Sequence, residues 1–108
     1  MLLSTTDTLQ GFEITDYLGL VTGETIMGAN ILRDVMGTVT DYVGGRAAAY
    51  EESLGQARDV SIEEMRDRAQ VLGADAIVGV SMDYETVGSR GAMLMVTCSG
   101  TAVRLRKV

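Results

Sequence analysis

Apolar positions change their spacing along this chain, and each change marks a new element. Glu13 to Met27 is rich in apolar and β-branched residues and is broken by Gly19 and Gly23. That composition predicts one long bent strand, or two short ones, after a loop over Asp7 to Gly11. From Ile31 the rhythm turns helical. Ile31, Leu32, Val35, Met36, Val39, Tyr42 and Val43 recur at spacings of three and four, with Asn30 placed to cap the start and Gly44-Gly45 to stop the end. A longer helix follows, its apolar stripe running through Ala47, Tyr50, Leu54, Ala57, Met65, Ala69 and Leu72, with Ser61 on the same stripe, and ending at Gly73. Ser61 with Glu64 also matches a capping box, so the same stretch can be read as two consecutive helices. One helix, with or without a kink, fits the stripe better. Alternation then returns in Ala76 to Val87 and in Ala92 to Val103, joined by Gly88-Ser89-Arg90-Gly91, which predicts a hairpin.

The order strand, helix, helix, strand, strand gives an α+β fold: a three-stranded antiparallel or mixed sheet with one long and one shorter helix on one face. Val78, Val80, Met82 and Tyr84 are expected to point one way, and Ile77, Gly79, Ser81, Asp83 and Glu85 the other. Helices cover only one face of such a sheet, yet both faces of the last strand are partly apolar. An uncovered semi-apolar face is a liability unless a second copy covers it, so the pattern predicts a homo-oligomer.

Size agrees with one domain over residues 1–108. Proline is absent and there is no linker-like tract. Low aromatic content leaves packing to aliphatic residues and seven Met. The net charge of -6 argues against a nucleic-acid or anionic-membrane partner. Arg104, Arg106 and Lys107 read as a solvated basic end. The lone Cys98 precludes an internal disulfide, and Met1 to Asp7 has neither a basic leader nor a long apolar run. The expectation is a cytoplasmic protein.

Histidine is absent, which removes the triads, the Cys-His pair and the HExxH zinc motif. Neither a dinucleotide fingerprint nor a phosphate-loop lysine is present. Gly44, Gly45 and Arg46 at a helix start could hold an anion, with Tyr50 one turn on and Glu51 beside it; the plainer reading is a turn whose arginine pairs with Asp34 or Asp41. Asp75 reads as a brace for the turn after the long helix. Asp83 and Glu85 share a strand face and could bind a hard cation, although such alternation is far commoner on a solvated face. Cys98 is expected as an inert buried thiol. In a symmetric ring, copies of Cys98 with Met93, Met95 or Met82 could take a soft ion such as Cu(I), whereas methionine at alternating strand positions is more often plain packing.

Several segments together resemble the YbjQ family over essentially the full length: Gly19 to Gly28, Gly44-Gly45-Arg46 with Tyr50-Glu51, the run Gly73-Ala74-Asp75-Ala76-Ile77-Val78-Gly79-Val80, Asp83-Tyr84, and Gly100-Thr101-Ala102-Val103. The Gly-Ala-Asp-Ala-Ile run is the most specific of these. The resemblance implies a dodecin-like subunit closing into a ring of five, and carries a heavy-metal-binding label for which no ligand motif matches residue by residue.

Three functions follow as expectations. The leading one is a non-enzymatic, homo-oligomeric protein with a small-molecule, metal or protein site between subunits. The others are a metal-binding module built from symmetry-related Cys98, Met and acidic side chains, and an enzyme using Arg46, Tyr50, Glu51 or Asp83 at a subunit boundary.

Overall fold

The structure is a computed structural model that describes residues 1–28, 43–88 and 93–108, with helix residues 43–50 described by their backbone. Four strands and one helix lie in these residues: β1 (Leu2–Leu3), β2 (Phe12–Met27), α1 (Val43–Val71), β3 (Ala76–Val87) and β4 (Met93–Lys107). The sheet order is β1-β3-β4-β2, with β1 parallel to β3 and the other pairs antiparallel.

Two parts of the expected fold need correction. The sheet has four strands and is mixed, because Leu2 and Leu3 pair beside Ala76 and Ile77. Two residues are too short to show any periodicity. A single helix, not two, packs on the sheet among the described residues, and it runs through Gly44-Gly45 instead of starting after them. Glycine is least disruptive there, in the first turn, where the backbone N–H groups have no partner within the helix anyway. The expected shorter helix over residues 31–43 and the turn at residues 89–91 lie outside the described residues.

The long strand over Glu13 to Met27, the long helix and the hairpin are all present. β4 runs on to Lys107, past the expected end at Val103, because β2 continues beside it to Phe12. Arg106 pairs there with Glu13, and Arg104 Nε donates to the Gly73 carbonyl at 3.3 Å. These basic residues are therefore strand positions.

α1 buries a narrow stripe of Ala57, Ser61, Met65 and Ala69, each four residues from the next. Three of the four are small, which lets the helix backbone settle close to the sheet. Beneath it lie Val21 and Met27 of β2, Ile77 and Met82 of β3, and Leu94, Val96, Cys98 and Ala102 of β4.

Strand alternation is reset in β3. Val78 faces Thr101 and Ser81 faces Ser99, so Gly79 and Val80 together oppose Gly100. Gly79 has φ +61°, a left-handed conformation that glycine adopts without a Cβ clash. The bulge puts Val78 and Val80 on opposite faces, correcting the uniform alternation expected from the sequence. Val80 and Met82 join the helix-side core, while Ala76 and Val78 pack with Val103 on the other face.

One end of that other face is covered by the chain itself. Residues 4–11 fold along β3, with Gly79 N–H donating to the Thr6 carbonyl at 2.9 Å and Val80 N–H to the Ser4 carbonyl at 3.0 Å. Leu9 thereby packs with Ile14 and Leu105 over Ala76, Val78 and Val103. Among the described residues, nothing covers the far end of the face in this way.

Candidate functional site

Two places on the molecule concentrate chemistry or unmet apolar surface: the seam between α1 and the sheet, and the uncovered end of the opposite face.

At the seam, Gly23 of β2 lies beside Cys98 of β4. A Cβ on Gly23 would sit 1.8 Å from the Ser61 carbonyl oxygen, so the helix backbone occupies the space a side chain would need. Cys98 is 2% exposed and donates its S–H to that same carbonyl at 3.1 Å. The Ser61 hydroxyl lies 3.1 Å from the Val96 carbonyl and 3.0 Å from Thr25 Oγ1. Donating its one proton to the Val96 carbonyl or to Thr25 Oγ1 satisfies a fully buried hydroxyl. Burial pushes the Cys98 thiol above its ordinary value near 9.0, Glu64 adds to the rise, and a hydrogen bond from Gly23 works against it.

The uncovered face is read from the register. Across β2, β4 and β3 its rows are Thr22, Ser99 and Ser81; then Glu24, Thr97 and Asp83; then Ile26, Met95 and Glu85. Leu20 beside Thr101 and Val87 beside Met93 flank these rows. Leu20 is 75% exposed, Tyr17 73% and Ile26 55%. Large apolar side chains thus stand in water next to a hydroxyl-bearing centre and a row of carboxylates. At the rim, between Ile26 and Met27 of β2 and Ser53, Ala57 and Val60 of α1, is an open groove of about 180 Å³.

Arg68 shields part of the β2 edge. Its guanidinium donates to the Thr22 carbonyl at 2.8 Å and pairs with Glu64 at 2.7 Å. An outward carbonyl midway along the edge is thereby satisfied.

The structure separates Cys98 from the two methionines Met93 and Met95 expected beside it. Cys98 faces the helix, whereas Met93 and Met95 face the opposite side, with the sheet backbone between them. Met82 does share the Cys98 side. Asp83 and Glu85 are exposed on the open face, as their spacing predicts. Glu51 is exposed on α1. Gly44, Gly45, Arg46 and Tyr50 lie in the first turns of α1, and the contacts expected of Arg46 and Tyr50 fall outside what is described. Asp75 does brace its turn: its Oδ2 accepts from Leu105 N–H at 2.9 Å. Among the described residues, no three His, Cys, Asp or Glu side chains gather where they could hold a metal ion, and no helix is long and apolar enough to cross a membrane. Leu20 and Ile26 are the site residues that sequence reasoning missed. Their signal was the interruption at Gly19, whose register shift between Tyr17 and Gly19 decides which way they face.

A crystal structure of a protein with unknown function, of the DUF74 family from Pediococcus pentosaceus, superposes with a TM-score of 0.61 at 20% identity, covering 98% of each chain. At that identity the likeness is one of fold. The YbjQ family, whose description reads "putative heavy-metal-binding", matches residues 1–106. With a match that leaves out only the last two residues, the chain belongs to the YbjQ family.

Proposed function

We propose that the chain works as a subunit of a homo-oligomeric ring, the pentamer implied by its family likeness, and that its ligand or protein site is built between copies. The uncovered sheet face carries this reading. Ile26 is 55% exposed beside half-buried Met95, with Met93 and Val87 in the next row, and Leu20, 75% exposed, stands further along the same face beyond Thr22 and Glu24. Isolated apolar residues such as Leu20 are ordinary on a surface; a group spread over neighbouring strands, as Ile26, Met95, Met93 and Val87 are, is the usual mark of an interface. Shape adds support. The radius of gyration is 17.2 Å, against about 13 Å for a compact domain of this size.

Glu24 and Asp83 in one row, with Glu85 in the next, give the inter-subunit site its character. A single copy spaces Glu24 and Asp83 on either side of Thr97. Meeting the same row of a neighbour, they would favour a cation or a basic group over an anion.

Light scattering coupled to size exclusion at tens of micromolar should return a mass several times the 11.5 kDa of one chain. A monomer mass at that concentration overturns the proposal. The pair Leu20→Glu and Ile26→Glu should lower the mass towards one chain and leave the far-ultraviolet circular dichroism unchanged.

A further inference from the structure

The family description directs attention to soft-metal donors, and the chain has one thiol. A thiol that binds Cu(I), Cd(II) or Zn(II) must act as a thiolate, stand beside further ligands, and be reachable by the ion. The sulfur inventory near Cys98 is not empty, since Met65 and Met82 share its apolar cluster. The other two requirements fail on geometry. Cys98 is enclosed between its own sheet and its own helix. Its S–H points at the Ser61 carbonyl, 3.1 Å away. Loss of that proton would leave an anion facing a carbonyl oxygen in apolar surroundings, which is repulsive. The helix cannot sit higher without abandoning the contact that Gly23 makes room for.

We infer that Cys98 is a hydrogen-bonding peg of the helix–sheet seam, and that the folded chain binds no soft metal through it. The inference reaches to the assembled protein as well. Symmetry-related copies of Cys98 do not meet, because each lies under its own α1 and faces away from the uncovered face. Met93 and Met95, on that face, cannot join Cys98 in one coordination sphere. Any metal the protein binds is held by other residues, and the thiol meets ions or reagents only when α1 lifts.

The test uses the folded wild-type protein, titrated with Cd(II) while the cadmium–thiolate charge-transfer absorption is followed, and with Cu(I) in competition with a chromogenic chelator. Both titrations are repeated on Cys98→Ser, which keeps a donor for Ser61. In parallel, the thiol is labelled with a disulfide reagent in buffer and in guanidinium chloride. The expected result is no cadmium–thiolate band in the folded protein, with labelling at least about a hundredfold slower than in denaturant, as opening-limited access requires. Metal uptake of equal stoichiometry in Cys98→Ser would also support the inference, since it places the ion elsewhere. Saturable Cd(II) or Cu(I) uptake by folded wild type that is lost in Cys98→Ser overturns it. Fast labelling of the folded protein overturns it too, and that measurement needs no variant to fold.

Discussion

At Gly23 one added methyl group separates two kinds of glycine. A Cβ there would meet the backbone of Ser61 and Met65, neither of which can swing aside. Gly23→Ala should therefore destabilise the chain by about 3 kcal/mol or more, read as a lowered urea midpoint. Gly55 is the counter-case. It lies inside α1, and a Cβ there would meet only the Arg58 guanidinium at an ordinary 3.6 Å. Gly55→Ala should stabilise by about 0.5–1 kcal/mol in the same measurement, through helix propensity alone. Cys98 adds a pH dependence. Its thiol titrates higher in the folded chain than in the unfolded one, so the unfolded state loses the proton first as pH rises. The stability this group supports is intact below its ordinary value near 9.0 and declines above it. Urea melts across pH 8 to 10.5 should show a steeper fall for wild type than for Cys98→Ser; parallel curves would contradict the assignment.

Among the elements, the sequence makes those with long, regular patterns legible and obscures those set by partners. α1 was readable because Ala57, Ser61, Met65 and Ala69 repeat every four residues, and placing Ser61 on that stripe anticipated its burial. Gly44-Gly45 misled because a glycine pair just before a helical pattern looks the same whether it stops one helix or sits in the first turn of the next. β1 has too few residues to carry any pattern. The phase of β3 was hidden for a different reason. Gly79 and Val80 form a bulge only in relation to Gly100, and that relation exists after pairing. The same holds for the candidate site: a two-sided apolar hairpin was visible, but the outward turn of Leu20 and Ile26 follows from a register shift in β2. Gly79→Ala tests the bulge directly. A Cβ there touches nothing within 4 Å, so any loss reflects the φ of +61° alone. About 1–2 kcal/mol is expected from equilibrium unfolding. A loss near zero would mean that the strand re-phases without the left-handed residue.

On the scale of the whole molecule, sixteen residues of β2 at about 3.4 Å each span about 54 Å, which accounts for the 56 Å length of the chain. The one helix among the described residues cannot cover so long a sheet on both faces. Among the described residues, the N-terminal loop protects one end of the second face, through Leu9, and no counterpart covers the other. That elongation has a consequence for how stability must be measured. A chain that completes its core only against its neighbours answers to mass action, so on the proposed assembly dilution itself acts as a denaturant. The midpoint of thermal unfolding should climb steadily as protein concentration is raised from one to a hundred micromolar, and the Leu20→Glu and Ile26→Glu pair should remove that dependence. A midpoint indifferent to concentration in the wild type would mean that the long sheet stands on its own. Any single stability quoted for this protein thus belongs to a stated concentration as much as to a sequence.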